Sequence, residues 1–387
     1  MSEPRMLFVG PLRDFSGYAA ASRNYVEALD KLGCDVVTRH LNYDGAQFKL
    51  SEDMLKLENK TLQDINIVVQ QTTPNETERK DGVFNVNIFC WETDRIPPEW
   101  VVQLNMMDLV VVSCEENMKA CRVSGVVVPI EVVPFAFDPD KYKTKSAPYH
   151  LQGSELTFKL LTVCQISKKK GIDALLRAYF SEFTPEDNTL LILKVYNTTQ
   201  DTEENRQMSA NVVNQIRNLM RLDRYPRVWL IHDLMTDSGI NRLYSTADAY
   251  VLPSRGEGWS ITHFESMAYG LPPIATGWGG PTEFITDKEG WLVDYHMSPC
   301  FDMKHPHPFM YTARDNWPEP HVDSLKKAMR EAQIEWKMHK VEHRNSRWNE
   351  RVNNCINRVN DFSYEKVGPM LRDAILKHYN RWKVNSG

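Results

Sequence analysis

The chain has 387 residues, of which 42% are hydrophobic and 25% are charged, and these fractions are typical of a water-soluble globular protein. This length suits two domains of roughly 150 to 200 residues each. The formal net charge of -5 does not favour nucleic acid as a partner. No apolar run approaches the roughly 18 residues that span a bilayer, and residues 1–13 lack a secretory apolar core, so we expect a cytoplasmic protein whose membrane contact is at most peripheral.

The first half of the chain opens with a βαβ pattern. The apolar run Met6–Gly10 predicts a strand, residues 18–32 predict an amphipathic helix, and residues 36–38 predict a second strand. This order predicts a Rossmann-like first domain. Gly17, at the tip of the intervening loop, is a candidate ligand contact, and the alternative is an ordinary turn glycine.

A turn crowded with charged and aromatic residues follows the strand predicted at 83–90. It contains Trp91, Glu92, Thr93, Asp94 and Arg95. A position just after a parallel strand lies at the carboxyl edge of the sheet, where ligands bind in open α/β folds. The alternative is that Glu92 or Asp94 pairs with Arg95 and caps a helix that starts near Pro97.

Lysines follow the first strand of the second half. Residues 141–155 are polar and aperiodic and predict an interdomain linker. The strand predicted at 158–163 leads to three consecutive lysines and then to Gly171. Such a turn would present positive charge at the sheet edge, although a charge run is often a solvated face. Lys194, near the end of the strand predicted at 190–195, is a second candidate for the same crevice.

The most informative stretch is 249–285. Ala249–Leu252 predicts a buried strand, which is followed by a glycine-containing loop and a helix at about residues 262–269. Pro273–Thr276 predicts the next strand, and a second glycine loop follows at 277–280. Because a helix N-terminus at this edge offers free N–H groups to an anion, the stretch predicts a phosphate cradle.

Two glutamates, Glu257 and Glu265, flank this turn, one on the loop and the other in the helix. Both can face one crevice. Glu265 could instead complete a capping box with Thr262 at the helix start. Glu257 is either solvated or accepts hydrogen bonds from hydroxyl groups.

The remaining sequence gives no strong metal or disulfide pattern. The seven cysteines are odd in number and include no C-x-x-C pair. Asp138 and Asp140 form a D-x-D pair, but flanking prolines favour a turn, and we expect no metal. The segment 296–321 contains His296, His305, His307 and His321 without a ligand-like spacing of carboxylates or cysteines, and we expect an irregular surface insertion. Residues 322–359 predict one or two helices, and residues 362–379 predict a final amphipathic helix.

The run P-S-R-G-E-G-W-S-I-T-H-F-E-S-M-A-Y-G-L-P-P-I-A-T, followed by G-G-P-T-E-F-I, resembles the E-x7-E signature of retaining glycosyltransferases of the GT-B fold, family 4 in particular. The resemblance implies an α/β protein with two Rossmann-like doubly wound domains that face each other across a cleft. Residues 1–140 would form the acceptor-side domain, with the C-terminal helix 362–387 packing back on it. Residues 156–361 would form the nucleotide-sugar donor domain.

The resemblance also implies an activity and a site. The activity is metal-independent transfer of a sugar, with retention, from a nucleotide-diphosphate sugar to a hydroxyl of a glycan or other acceptor, with no cofactor. The predicted catalytic residues are Glu257, Lys170 and Glu92. The predicted donor-binding residues are Gly17, Lys169, Lys194, Ser260, Ile261, Thr262, Glu265, Gly279 and Gly280. The predicted acceptor-side residues are Trp91, Thr93, Asp94 and Arg95.

The resemblance assigns Lys170 to the donor diphosphate, Glu257 to the sugar hydroxyls and Glu265 to the ribose. Two departures from the family pattern stand out. The family's arginine ahead of the lysine is absent, so either Lys168 or Lys169 must compensate or the phosphate is bound more weakly than usual. The family's histidine near residues 91–95 is absent too. A non-catalytic nucleotide-sugar-binding protein, or an epimerase or phosphorolytic enzyme on the same fold, remains the alternative.

Overall fold

In the computed structural model the chain folds into two compact units. Unit 1 comprises Met1–Asp138 and Asn360–Gly387, and unit 2 comprises Pro139–Val359. The residues that the structure describes are 3–43, 45, 48–196, 203–233, 235–303 and 310–386.

The strands, in chain order, are β1 (Met6–Gly10), β2 (Val36–His40), β3 (Ile67–Gln71), β4 (Phe84–Phe89), β5 (Leu109–Val112), β6 (Ile130–Val132), β7 (Phe158–Gln165), β8 (Thr189–Tyr196), β9 (Arg227–Ile231), β10 (Ala249–Leu252), β11 (Pro273–Thr276), β12 (Trp291–Val293), β13 (Tyr295–Pro299) and β14 (Asn316–Pro320). The helices are α1 (Gly17–Lys31), α2 (Glu52–Glu58), α3 (Pro98–Asn105), α4 (Glu115–Ser124), α5 (Ile172–Glu182), α6 (Glu203–Met220), α7 (Asp237–Thr246), α8 (Ile261–Ala268), α9 (Val322–Lys340), α10 (Trp348–Val359) and α11 (Tyr364–Ser386).

Unit 1 contains a six-stranded parallel sheet in the order β2-β1-β3-β4-β5-β6. Its central strands are buried along their whole length because helices cover both faces of a parallel sheet. Ser16 caps the start of helix α1, and its side chain accepts a hydrogen bond from the Ala19 N–H at 3.2 Å. The predicted βαβ opening is therefore present.

The last helix of the chain, α11, belongs to unit 1 and packs on α1. The Tyr364 hydroxyl lies within hydrogen-bond distance of two acceptors, Asn24 Oδ1 at 2.8 Å and Glu27 Oε2 at 2.9 Å. A Cβ at Gly368 would lie 3.2 Å from the Ala28 carbonyl oxygen, so the absence of a side chain there lets the two helices approach closely. Unit 1 is thus assembled from both ends of the chain.

Unit 2 contains a second six-stranded parallel sheet, in the order β12-β11-β10-β7-β8-β9. The predicted strands Ala249–Leu252 and Pro273–Thr276 are β10 and β11. Strand order reverses at β7, since β8 lies on one side of it and β10 on the other. The crevice beyond the carboxyl ends of β7 and β10 is therefore the switch point of this sheet, where doubly wound folds bind ligands.

The segment 141–155, predicted to be a linker, lies in unit 2. Lys145 donates to the carbonyl of Tyr269 at 2.9 Å, and the Tyr149 N–H donates to the Thr246 hydroxyl at 2.7 Å. These contacts connect residues about a hundred positions apart, and such pairings leave no trace in local periodicity.

The histidine- and proline-containing segment 296–321 is more regular than the sequence predicts. Strands β13 and β14 pair antiparallel, and Trp317, which is fully buried, packs with Cys300 and Met303. Burial of this indole gives the segment a small core, so the expectation of an irregular insertion was wrong for these strands. His305 and His307 lie outside the described residues.

Both units are thus doubly wound α/β sheets, as the sequence predicts. Across the described ranges, no helix combines the length and the apolar character needed to cross a bilayer.

Candidate active site

Two polar segments follow β7 and β10 at the switch point of unit 2. After β7, Lys168–Lys170 forms a single turn that ends at Gly171, and α5 begins at once. After β10, a loop carries Arg255 and Glu257 into α8. We refer to Lys168–Lys170 as the lysine turn.

Gly171 holds these two segments together. Its φ of +64° is left-handed, and an added Cβ would lie 2.0 Å from the carbonyl oxygen of Pro253. Only glycine meets both conditions without displacing the backbone. The lysine turn therefore rests directly on the start of the loop that carries Glu257.

Lys170 and Glu257 form an ion pair at the centre of the site. The Lys170 ammonium donates to Glu257 Oε1 at 2.6 Å, and the Ser254 hydroxyl donates to the same oxygen at 2.7 Å. Glu257 is 8% exposed, so the alternative of a solvated carboxylate was wrong. Burial alone would raise the pKa of Glu257, but the charges of Lys170 and Lys169 hold the pKa below its ordinary value. Glu257 is thus a buried carboxylate that accepts hydrogen bonds.

The other two lysines of the turn have protein partners. Lys168 pairs with Asp173 at 2.9 Å and lies over the Phe301 ring. The Lys169 ammonium lies 3.3 Å from the Tyr311 hydroxyl, and the Lys169 residue is 9% exposed. Lys168 in particular has its charge matched within the protein.

Lys194 differs from these lysines because the described part of the chain offers its ammonium no ion pair and no hydrogen bond. It lies at the carboxyl end of β8, paired in register with Val163 of β7, and is 2% exposed. The Tyr196 ring lies 5.2 Å from its ammonium. Burial lowers the pKa of Lys194, and Cys164 and Asp233 oppose that shift. A buried lysine that makes no ion pair with the described residues marks a place where an anion would be stabilised.

Helix α8 starts in an unusual conformation. It spans Ile261–Ala268, one residue earlier than predicted, and its N-cap Ser260 has a left-handed φ of +75°. The Ser260 hydroxyl lies 2.7 Å from Nδ1 of His263 and does not cap the helix. The N–H groups of the first turn, which include those of Ile261 and Thr262, lack a side-chain cap and could bind an anion.

Glu265 does not form the capping box that was considered for it. Its two carboxylate oxygens accept hydrogen bonds from the hydroxyls of Tyr142 and Tyr244, each at 3.0 Å. Burial raises the pKa of Glu265, and these two hydroxyls partly counter the shift. Because a carboxylate can accept about four hydrogen bonds, Glu265 retains capacity for a ligand hydroxyl.

Gly279 and Gly280 pack against the loop that carries Glu257. Gly279 has a φ of +74°, and a Cβ there would lie 2.7 Å from the Glu257 carbonyl oxygen. The Gly280 N–H donates to that same oxygen at 2.9 Å. A Cβ at Gly280 would lie 2.3 Å from the Cα of Trp259. These two predicted donor contacts therefore have a packing role that the sequence did not indicate.

The predicted acceptor-side turn lies in unit 1, after β4. Trp91 and Thr93 are buried, and the Trp91 indole N–H donates to the Thr93 hydroxyl at 2.7 Å. Both side chains also bond to the Arg95 carbonyl, so they build the turn. Glu92 and Asp94 are half-buried, and the Arg95 residue is exposed. The N-cap of α3 is Pro97, which makes no side-chain cap.

Gly17 is exposed at the first position of α1 in unit 1, beyond the end of β1. Asp140, of the predicted D-x-D pair, forms an ion pair with Lys143 at 2.6 Å. Among the described residues, no three or more histidine, cysteine or acidic side chains are arranged to hold a metal ion.

The fold is shared with solved two-domain enzymes. Trehalose-6-phosphate synthase OtsA superposes with a TM-score of 0.65 at 13% identity, covering 96% of this chain and 98% of that one. The catalytic domain of Starch Synthase IV from Arabidopsis thaliana, bound to ADP and acarbose, gives a TM-score of 0.65 at 12% identity, covering 98% and 100%. At these identities the likeness establishes the fold, which is GT-B.

The sequence comparison defines the family of unit 2. Residues 157–300 match the family described as glycosyl transferases group 1. This range contains the lysine turn, Glu257 and Glu265. This part of unit 2 therefore matches a glycosyltransferase group 1 domain, in agreement with the predicted resemblance to glycosyltransferases.

Curated relatives match over the same part of the chain. A probable sucrose-phosphate synthase 5 of Oryza sativa subsp. japonica is 32% identical over 142 residues, which are 35% of this chain and 14% of that protein. A glycogen synthase of Mycoplasma mobile is 25% identical over 138 residues, which are 35% of this chain and 26% of that protein. The match thus spans well under a third of either relative.

Proposed function

We propose that the protein is a retaining glycosyltransferase that moves a sugar from a nucleotide-diphosphate sugar to a hydroxyl of a glycan or another acceptor, without a metal ion. The observation that carries this proposal is the juxtaposition of the lysine turn and the Glu257 loop at the switch point of a glycosyltransferase group 1 domain. Related structures support a nucleotide-sugar donor, since one was solved with UDP-2-fluoro glucose and another with ADP.

The donor diphosphate would bind to the positive groups at this edge. Lys170 and Lys194 supply two cations, and the uncapped first turn of α8 supplies backbone N–H groups. These groups stabilise the negative charge that grows on the diphosphate as the bond to the sugar breaks. Lys194, whose ammonium makes no ion pair with the described residues, would take the compensating role that the resemblance implies for Lys168 or Lys169.

Glu257 would accept hydrogen bonds from hydroxyls of the donor sugar. In the free protein its Oε1 is occupied by Lys170 and Ser254. Donor binding would draw the Lys170 ammonium toward phosphate and leave a carboxylate oxygen for the sugar. Glu257 acts by orienting the sugar and does not need to become a nucleophile.

Transfer with retention proceeds on the face from which the diphosphate departs. The acceptor oxygen forms its bond to the anomeric carbon while the bond from that carbon to the diphosphate oxygen breaks. The acceptor proton passes to the departing diphosphate, so the step balances without an enzyme base. Glu265 would hold the ribose hydroxyls.

We propose that the acceptor binds at the turn after β4. The half-buried carboxylates Glu92 and Asp94, with the exposed Arg95, would contact the acceptor. Trp91 and Thr93 would support that turn from inside. The catalytic role predicted for Glu92 is part of this proposal.

The test compares Glu257→Gln with a matched variant. Glu257→Gln should abolish sugar transfer, measured as acceptor-dependent release of nucleoside diphosphate from UDP- and ADP-sugars, because a neutral amide orients the sugar poorly. It should bind free nucleoside diphosphate at least as tightly as the wild type, because Lys170 loses its carboxylate partner. Glu289→Gln, which changes another buried carboxylate whose partner is Thr286, should leave both properties unchanged.

Four outcomes would overturn the proposal or a part of it. Full transfer activity in Glu257→Gln would remove Glu257 from the site. Donor binding by the wild type with no turnover over a broad acceptor panel would favour a binding protein. Consumption of the donor without any acceptor would favour an epimerase or a phosphorolytic enzyme. A product whose anomeric proton coupling shows inversion would contradict retention.

A further inference from the structure

Arg255 is the most deeply buried charged side chain beside the proposed site, with 1% exposure. Burying a guanidinium costs several kcal/mol unless it is paired and hydrogen-bonded. Arg255 has carboxylate partners from two distant segments. It meets Asp173 at 2.8 and 3.0 Å and Glu319 Oε1 at 2.6 Å, and its Nε donates to the second oxygen of Glu319. With Lys168, which also pairs with Asp173, the cluster holds two positive and two negative charges.

Arg255 also holds the backbone of the lysine turn. Its Nη1 donates to the Lys168 carbonyl at 2.7 Å, and its own N–H donates to the Lys169 carbonyl at 2.6 Å. Because Arg255 lies two residues before Glu257, it connects the lysine turn to the loop that carries this carboxylate. The position of the Lys170 ammonium relative to Glu257 therefore depends on these bonds.

Lysine could not replace arginine in this cluster. The five N–H donors of the guanidinium match five acceptor contacts, namely two on Asp173, two on Glu319 and the Lys168 carbonyl. An ammonium has three donors and cannot form two bidentate pairs at once. A lysine at this position would leave buried acceptors without donors.

We propose that Arg255 is a positioning residue for the diphosphate site, and that Glu319 of β14 is the external support that fixes it. Arg255 does not touch the donor. It sets the lysine turn so that the Lys170 ammonium meets the phosphates, which makes strand β14 part of the donor site's framework. This inference rests on the proposed function of the lysine turn.

The experiment measures binding of UDP and ADP, and of uridine and adenosine, by calorimetry. A positioning role predicts that Arg255→Lys weakens binding of the diphosphate at least tenfold and changes nucleoside binding by less than twofold. Glu319→Gln, which keeps the shape of the side chain but removes its charge, should weaken diphosphate binding by a smaller factor with the same selectivity. This second variant keeps the test decisive if Arg255→Lys does not fold.

Arg351→Lys is the matched control. Arg351 is 4% exposed, pairs with Glu335 at 2.9 Å and donates to the carbonyls of Asp287 and Gly290, all outside the switch point. The Arg351→Lys protein should be less stable than the wild type but should keep the wild-type ratio of diphosphate to nucleoside affinity. If Arg255→Lys and Glu319→Gln keep the wild-type ratio, the positioning role is refuted. If the wild type binds neither UDP nor ADP more tightly than the nucleosides, the proposed function itself fails.

Discussion

Replacing Lys194 with methionine should stabilise the free protein and weaken donor binding. Lys194 is 2% exposed and makes no ion pair with any of the described residues, so within the described part of the chain the cost of burying its charge is offset only in part, by the Tyr196 ring and by Cys164 and Asp233. Methionine fills a similar volume without a charge. We expect the free energy of unfolding at pH 7 to rise by about 1 kcal/mol or more, because unpaired buried ions carry penalties of several kcal/mol. For a domain of roughly 200 residues, 1 kcal/mol raises Tm by about 2–4 °C.

The same substitution removes a charged donor to the diphosphate. A hydrogen bond to a charged group contributes about 1.5–3 kcal/mol. Since about 1.4 kcal/mol corresponds to a factor of ten, Kd for the nucleoside diphosphate should rise by about 10- to 150-fold. Stability should therefore increase while binding weakens, as happens when a functional residue lowers the stability of the free protein.

The pH dependence of stability gives a second signature of Lys194. Its folded pKa lies below the unfolded value near 10.5, so between these two pKa values the unfolded chain binds a proton that the folded protein lacks. This group therefore makes stability rise with pH across that window. Lys194→Met should lose this contribution.

Urea unfolding and calorimetry test these expectations, with Lys143→Met as an exposed control that should change neither value. A Lys194→Met protein that binds UDP and ADP as the wild type does would refute the anion-binding role. A variant less stable than the wild type would refute the claim that the burial of this charge costs more than its surroundings return.

Three further predictions address other parts of the site. Gly171→Ala should lower the free energy of unfolding by more than about 2 kcal/mol, because the left-handed φ alone costs about 1–2 kcal/mol and the Cβ would also collide with Pro253. Gly153→Ala, at φ +71° with open space around it, should lose only the cost of the left-handed φ in the same urea titration. Glu265→Gln should weaken binding of UDP more than binding of 2′-deoxy-UDP in calorimetry, and equal losses would argue against ribose contact. Burial lowers the pKa of His263 from 6.5 to about 4, so stability is lost as pH falls below 6.5. From pH 7 to pH 5 the free energy of unfolding of the wild type should fall by about 2 kcal/mol more than that of His263→Gln. Parallel pH profiles of the two proteins would contradict this.

The sequence predicted the parts of the site that local patterns encode. Buried parallel strands read as short apolar runs, so β10 and β11 were located with their observed bounds. Gly171 and Lys170 were identified because a lysine-glycine pair after a strand matches the resembling family. The reversal of strand order at β7 then explains why two segments far apart in sequence meet at one edge.

The partners of these residues could not be predicted, because they depend on long-range packing. Glu265 meets Tyr142, which is 123 residues away, inside a segment that was expected to be a linker. Arg255 meets Glu319, which is 64 residues away, in a segment that was expected to be irregular. Spacing along the chain carries no information about such contacts.

The capping-box alternative for Glu265 failed for a local reason. The T-H-F-E pattern suits a helix that starts after Thr262, but α8 starts at Ile261 with Ser260 in a left-handed conformation. The Ser260 hydroxyl lies within hydrogen-bond distance of His263, which is fully buried. A helix capped by Thr262 would start at residue 263, two residues later than α8 does. The earlier start places Glu265 beyond the first turn, where it meets the two tyrosines.

The central claim is that the diphosphate of a nucleotide sugar binds at the lysine turn of unit 2. A crystal structure of the protein with UDP or ADP tests it most directly. The account predicts phosphate oxygens within about 3 Å of the ammonium groups of Lys170 and Lys194, and of backbone N–H groups at the start of α8. A diphosphate bound elsewhere, with the 2.6 Å pair between Lys170 and Glu257 unchanged, would contradict it.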